Sequence, residues 1–416
     1  MIYAMTARAE LNLEECYNLA AGNYPTGKNL NIYNEMADLK RSNLNAGYYP
    51  EITAFGQAQY QSDVTKVSIA LPPQLQQLGI NFNIPSPDKD QYKIGVNINQ
   101  LIWDGGIIAY QKDLEQNQTL IENQSVMTEI YALRQRVSDA YFGALTLQQK
   151  MKSLEIIRND LQAKINKVRS GVENGILLES NLLILEAENL KLDQKNEELL
   201  AAYKTAIQSL ETLIGKNIPS EETLAFPEFN NKFQLEGRER PEYKLFDITK
   251  KNFDYAKDLT DAKYMPKFGA FAQGAYGKPG LNMLDPDFAS YYIVGLKASW
   301  SLWNWGSATR DKQIYTLQSE IVVHKEKTFS MNLSVAAKKY INEIEKIEKM
   351  LIQDVQIIEL RHKIVEMSAS QLDNGVITST EYLTEFNSEA QAKLDAAARK
   401  IELLKAKSDL GIVVGR

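Results

Sequence analysis

The sequence predicts a mixed α/β membrane protein in which two pairs of strands contribute to an oligomeric β-barrel and long α-helical hairpins continue it as coiled coils. Three observations predict this: a heptad seam too long for a globular domain, strand pairs with one apolar face and aromatic ends, and an internal repeat that doubles both. Between Gly106 and Asn174 lie 67 residues with no proline, and Gly143 and Gly171 are the only glycines among them. Their apolar residues step Val126, Ile130, Leu133, Val137, Ala140, Ala144, Leu147, Met151, Leu154, an alternation of four and three. At 1.5 Å per residue this helix is about 100 Å long, so it projects from any domain of ordinary size. A rod of this kind suits a conduit, spacer or scaffold better than a compact enzyme.

Composition narrows the class further. A length of 416 residues allows two or three domains, and 44% hydrophobic with 24% charged residues is typical of a folded chain. A net charge of −6 and a pI near 5.4 offer no basic face to track phosphates, which argues against a nucleic-acid partner. No stretch of 18 apolar residues forms a transmembrane helix. The single cysteine, Cys16, follows Leu13-Glu14-Glu15, which lacks the small apolar residues of a lipid-anchor site, and it belongs to no metal or redox motif. His324 and His362 stand alone in helical patterns and are read as ordinary helix residues. With no triad, metal cluster or phosphate loop, the sequence calls for no enzyme activity, no cofactor and no metal. Residues 1–9 end in Ala7-Arg8-Ala9, the small-x-small form of a signal-peptidase site, and are read as the remnant of a signal peptide.

Taken in order, residues 11–23 read as a short helix containing Leu11, Leu13, Tyr17 and Leu19, and 27–47 as a second. From Glu51 the period changes to two: Ile52, Ala54, Gly56, Ala58 and Tyr60 alternate with Glu51, Thr53, Phe55, Gln57 and Gln59. A loop over 62–90 carries Pro72-Pro73, Pro85 and Pro87. The next strand puts Ile94, Val96, Ile98 and Ile102 on one face and Asn97 and Asn99 on the other, and ends at Trp103-Asp104-Gly105-Gly106. The strand pair thus spans about 50–103 and the helical hairpin 107–214. Asn174-Gly175 breaks the long helix, since both residues accept a left-handed backbone. The returning helix steps Leu182, Leu185, Asn189, Leu192, Asn196, Leu199, Tyr203, Ala206, Leu210, Leu213, and its two asparagines suggest a wet or register-setting seam. It stops at Gly215, and 216–240 read as an irregular linker.

The chain then repeats itself. Pro25, Pro50, Phe55, Gln57 and Tyr60 recur 216 residues later as Pro241, Pro266, Phe271, Gln273 and Tyr276. Gly95, Trp103, Gly106, Asn174, Gly175, Leu183 and Gly215 recur 200 residues later as Gly295, Trp303, Gly306, Asn374, Gly375, Leu383 and Gly415. A first repeat over 10–215 is therefore followed by a second over 241–416, with a strand pair at about 265–304 and a hairpin at 307–414. In each half the short helix and the returning helix, stacked end to end, nearly match the long one, which gives a two-ply wall.

Four strands cannot close a barrel, and an open edge cannot sit in lipid. Two copies would give eight strands and a filled interior, three would give twelve and a lumen. Phe268, Ala270, Ala272 and Tyr276, with Val294, Leu296, Ala298 and Leu302, form the apolar outer face, while Gln273, Lys297, Ser299 and Ser301 point the other way. Trp103, Trp300, Trp303 and Trp305 fall where strands hand over to long helices. Tyr60, Tyr92, Tyr276, Tyr291 and Tyr292 fall at the opposite ends, and two aromatic bands flanking an apolar one are the girdles of a membrane barrel.

On these residues the chain, from about 11 to 416, resembles the TolC-like outer-membrane efflux proteins of Gram-negative bacteria. The resemblance rests on the doubled strand pair, the Trp-Asp-Gly-Gly and Trp-Asn-Trp-Gly entries to the long helices, the opening Leu13-Glu14-Glu15-Cys16 to Pro25, and the tips at 169–183 and 369–385. It implies a homotrimer, with a twelve-stranded barrel in outer-membrane lipid and a helical barrel across the periplasm. It also implies docking to a periplasmic adaptor protein and an inner-membrane transporter of RND or ABC type, for efflux or type I secretion. The tips, with Asn174, Gly175, Asn181, Asn374, Gly375 and Glu381, then become the gating and adaptor-docking end. Glu381 matches an acidic position of the family's aperture, but Thr384 replaces its companion, with Glu385 beside it, and Ile377 replaces a basic latch residue. A periplasmic adaptor (membrane fusion) protein would have one hairpin between two halves of a β module, and a coiled-coil scaffold leaves the period-two segments unexplained.

Overall fold

The computed structural model describes residues 10–67, 85–219, 222–229 and 238–416. The expected signal remnant 1–9, Pro72-Pro73 and part of the linker lie outside the described residues. After a short helix α1 (Leu13–Asn23), one run of elements occurs twice. The first run is α2 (Asn29–Ala46), β2 (Glu51–Tyr60), β3 (Asp90–Trp103), α3 (Ile107–Glu173) and α4 (Glu179–Ile214). The second is α5 (Pro241–Lys263), β5 (Lys267–Lys278), β6 (Ala289–Ser299), α6 (Ser307–Asp373) and α7 (Ser379–Val414). Both long helices have 67 residues and both returning helices 36.

The start of the chain differs from the sequence reading. Leu11 is not helical: Glu10–Leu11 is a strand, β1, paired in parallel with Thr223–Leu224, β4, inside the stretch expected to be irregular. The helix begins at Leu13 because the Asn12 side chain caps it, its Oδ1 accepting the Glu15 N–H at 2.8 Å. The second helix is also shorter than expected, since Pro25–Lys28 form a turn of 3-10 helix ahead of it.

The described residues form two compact units, which cut across both repeats. One comprises Ile32–Ile121 and Ile248–Val322 and holds an antiparallel sheet in the order β2-β3-β5-β6. Its register puts Ile52, Ile98, Ala272 and Val294 in one row and Thr53, Asn97, Gln273 and Ile293 in the next. The two faces are thus apolar and largely polar, and the apolar one is bare, with Ile94 66%, Val294 67% and Leu296 81% exposed. The outer edges of β2 and β6 pair with no strand among the described residues. A bulge between Leu101 and Trp103 shifts the register by one, so that Trp103 lies opposite Phe268 and joins the apolar face.

The other unit takes in the described residues of Met1–Asn31, Glu122–Asp247 and Val323–Arg416. Val126, Leu133, Val137, Ala144 and Leu154 of the expected seam are buried, and so are Leu185, Leu199 and Leu210 of the returning helix. The α3 face is wider than the seam, however, because Tyr141, Phe142 and Leu145 are also sealed in a core with Leu11, Cys16, Leu210 and Leu224. Burial pushes the Cys16 thiol up to about 12, which leaves it an inert apolar side chain. Of the two seam asparagines, Asn189 keeps a buried Oδ1 with no partner. The Tyr141 hydroxyl lies 2.9 Å from the Leu11 carbonyl and 2.7 Å from that of Ala225, tying both short strands to α3. Tyr141→Phe removes the hydroxyl from the Ala225 carbonyl and from the Leu11 carbonyl, which also accepts the Ala225 N–H at 3.1 Å, and is expected to cost about 1–3 kcal/mol, read as a lower melting temperature. An unchanged melting temperature would mean that the short strands do not depend on this hydroxyl.

Candidate functional site: hairpin tips and aromatic strand ends

The two hairpins turn in the same way. At the end of α3 the Gly175 N–H donates to the Val172 carbonyl (2.9 Å) and the Ile176 N–H to that of Gly171 (2.8 Å). At the end of α6, Gly375 donates to Leu372 (3.0 Å) and Val376 to Gln371 (2.9 Å). This crossed pair satisfies the last carbonyls of a helix and requires a left-handed residue, supplied by Gly175 at φ +72 and Gly375 at φ +68. The Asn174 and Asn374 side chains add a bond each, donating to the Ser170 and Ser370 carbonyls at 2.7 and 2.8 Å. Exposed Ile176, Leu178 and Val376 flank these turns.

Beyond the turns the repeats diverge. Thr378 caps α7 in a reciprocal box: its hydroxyl accepts the Glu381 N–H (3.3 Å), and Glu381 Oε2 accepts the Thr378 N–H (2.8 Å). That backbone bond, with the Thr378 hydroxyl, holds the Glu381 carboxyl below the usual carboxylate range. Asn181 occupies the equivalent place in the first repeat, but its Oδ1 reaches the second hairpin and accepts the Ser379 N–H at 3.1 Å. Glu385 is bound to Arg361 at 3.0 Å, Thr384 donates to the Thr380 carbonyl, and Ile377 packs on the apolar cluster of Ile165, Val168, Leu372 and Phe386. His362 Nδ1 lies 2.9 Å from the buried Glu389 on α7.

One ion cluster below the tips is not legible in the sequence. Lys164 of α3, 7% exposed, donates to the Ala369 carbonyl and to Asp373 Oδ1, both at 2.7 Å, and lies over the Tyr382 ring. Lys167 takes the other Asp373 oxygen at 2.6 Å. Burial lowers the Lys164 ammonium's pKa against the opposing pull of Asp373. Burial pushes the Asp373 carboxyl up, but the two lysines outweigh it and hold it below the usual carboxylate range. Lys164 stands between the buried Leu161 and Ile165, and nothing in that spacing says that a lysine there meets an aspartate of the other hairpin.

In the sheet-bearing unit the aromatic ends are built on helix entries. Asp104 accepts the Gly106 N–H (2.8 Å) and the Ile108 N–H (2.6 Å), capping α3, and Asn304 accepts the Gly306 N–H (3.0 Å) before α6. Trp103 meets Phe268 at 5.8 Å. The strand expected to reach 304 ends at Ser299, so Trp300, Trp303, Trp305 and Leu302 sit in the connector instead. There Trp300 donates to the Tyr264 carbonyl at 3.1 Å, and Trp303 and Trp305 pack edge to face. Tyr60 and Tyr276, 75% and 50% exposed, stand at the loop ends of β2 and β5.

Residues 29–216 match the family model described as outer membrane efflux protein. The structure of CusC, described as a transmembrane channel, superposes with a TM-score of 0.69 at 11% identity, over 97% of this chain and 92% of that one. The outer membrane protein VceC of Vibrio cholerae gives 0.66 at 11% identity, over 97% and 96%. The open state of the MtrE outer membrane channel of Neisseria gonorrhoeae gives 0.66 at 13% identity, over 97% and 88%. No curated protein matches the sequence. At these identities the structural likeness is one of fold.

Asp373→Asn leaves the buried Lys164 without its counter-charge and is expected to cost about 3 kcal/mol at pH 7. Because the Asp373 pKa is depressed, its contribution is complete above the unfolded carboxylate value of about 3.9 and is lost as pH falls through the lower folded value. Thermal melts of wild type and variant should therefore differ at pH 7 and converge in acid. Equal melts at pH 7 would show that this ion cluster does not hold the hairpins together.

Proposed function

Since the chain is TolC-like in fold and matches the outer membrane efflux proteins over residues 29–216, we propose that it is the exit duct of a tripartite efflux or type I secretion system. The observation that carries this reading is the four-stranded sheet, whose bare apolar face and unpartnered β2 and β6 edges suit a barrel shared between copies in lipid. Three copies make twelve strands and a lumen, where two would make a filled barrel. The strands then lie in the outer membrane of a Gram-negative bacterium and the hairpins in the periplasm. Trp103, Trp300, Trp303, Trp305, Tyr60 and Tyr276 mark the two lipid interfaces. The duct carries no chemistry: it is a passive conduit, and the inner-membrane transporter, of RND or ABC type, supplies the energy.

The tips are the adaptor-docking end in this reading. Asn174, Gly175, Asn374 and Gly375 fix the turn, and Asn181 locks one hairpin to the other. Ile176, Leu178 and Val376 offer an adaptor an apolar surface. Glu381 Oε1 makes no hydrogen bond among the described residues, so three copies would place three such carboxylates around one aperture.

Light scattering in detergent, joined to a transport assay, tests both halves. Wild type and Gly375→Val are each expected to weigh three times 47.1 kDa. Only the variant should lose export in cells with the cognate adaptor and transporter, because valine is strongly disfavoured at φ +68. A monomeric wild type would refute the shared barrel, and full export by the variant would refute the tip assignment.

A further inference from the structure

The polar face of the sheet carries more than ordinary amides. By register Lys93 lies opposite Gly277, Lys297 opposite Gly269, Lys267 opposite Ser299 and Glu51 opposite Asn99, all on that face. The other charged strand residues, Asp90 and Lys278, lie on the apolar face at its loop end, where Lys278 pairs with Asp88. Three lysines against one glutamate leave two net positive charges on the polar face of a chain whose total is −6. None of these four forms an ion pair among the described residues.

Aromatic rings occupy the rows between the lysines. Phe55 shares a row with Gly95, Ala275 and Tyr291, and Phe271 shares one with Asn99 and Gly295. The Phe271 ring lies over Gly295, where an added Cβ would meet it at 2.7 Å. Phe55 and Phe271 are the same position of the two repeats, so each copy sets two such rings on this face. Asn97 and Gln273 lie in the row between them, and Asn99 lies beside Phe271. Along β5 the rows of Lys297 and Lys93 are eight residues apart, Gly269 to Gly277, or about 27 Å.

We propose that this face, taken as the lumen under the exit-duct reading on which the inference rests, selects organic anions that carry an aromatic ring. Unpaired ammonium groups in a narrow bore raise the local concentration of anions. Phenyl faces stack a flat ring, and the amides between donate to anionic oxygens. Several weak sites in series hold a solute without trapping it.

The probes are naphthalene-1,5-disulfonate and methyl viologen, two-ring aromatics of equal and opposite charge, applied to single channels of the full chain in planar bilayers. The disulfonate should block wild type at roughly tenfold lower concentration, about 1.4 kcal/mol of preference. Lys93→Gln with Lys297→Gln should abolish that difference and move the reversal potential in a KCl gradient towards cations. Phe55→Leu with Phe271→Leu should weaken disulfonate block several-fold and leave the reversal potential in place. A conducting wild type blocked equally by both probes, or lysine variants that block as wild type does, would overturn the anion preference alone. Absence of any conductance would instead sink the exit-duct reading. The wild-type comparison decides the matter even where a variant fails to insert.

Discussion

A backbone amide or carbonyl without a partner costs several kcal/mol in hydrocarbon, and the outer edges of β2 and β6 present two rows of them. In water such an edge is tolerable and is commonly blunted by lysine or proline. β2 carries neither, and its outward residues are Ile52, Ala54, Gly56, Ala58 and Tyr60. The apolar face wants lipid while the edges forbid it to a single copy. Under the exit-duct proposal, pairing β6 of one copy with β2 of the next would satisfy both demands.

The helical part obeys a different constraint, that of reversing a coiled coil sharply and identically twice. Glycine at positive φ does this at Gly175 and Gly375, with the preceding asparagine bonding back one turn. Once the turns are fixed, the hairpins can diverge in what they bind. Asn181 bridges to the second hairpin where Glu381 closes a capping box, and Lys164 reaches Asp373 across the same boundary. The two hairpins of one copy are thus joined by polar contacts laid over a shared apolar cluster.

Period and repetition were legible in the sequence because they depend on local rules. The alternation from Ile52 to Tyr60, the heptad from Val126 to Leu154 and the Asn-Gly turns needed no tertiary partner to be read. What escaped depends on contacts distant in the chain. Leu11 is a strand only because Leu224 lies beside it, Tyr141 is buried in a core shared with α1, Leu210 and Leu224, and Lys164 is tolerated in a core because Asp373 meets it. The bulge that turns Trp103 to the apolar face leaves no mark in a two-residue period that simply continues through it. Glu381 illustrates a further gap: its spacing from Thr378 fits a capping box as well as it fits an aperture carboxylate.

The account's central claim, that the sheet closes only between copies, is tested most directly by electron cryomicroscopy of the full chain in lipid nanodiscs. The predicted map shows three copies and twelve strands, with β6 of each hydrogen-bonded to β2 of the next and the rows of Ile98 and Leu296 against lipid. A map in which the four strands of one copy stand alone, or in which their apolar face is covered by protein, would contradict it.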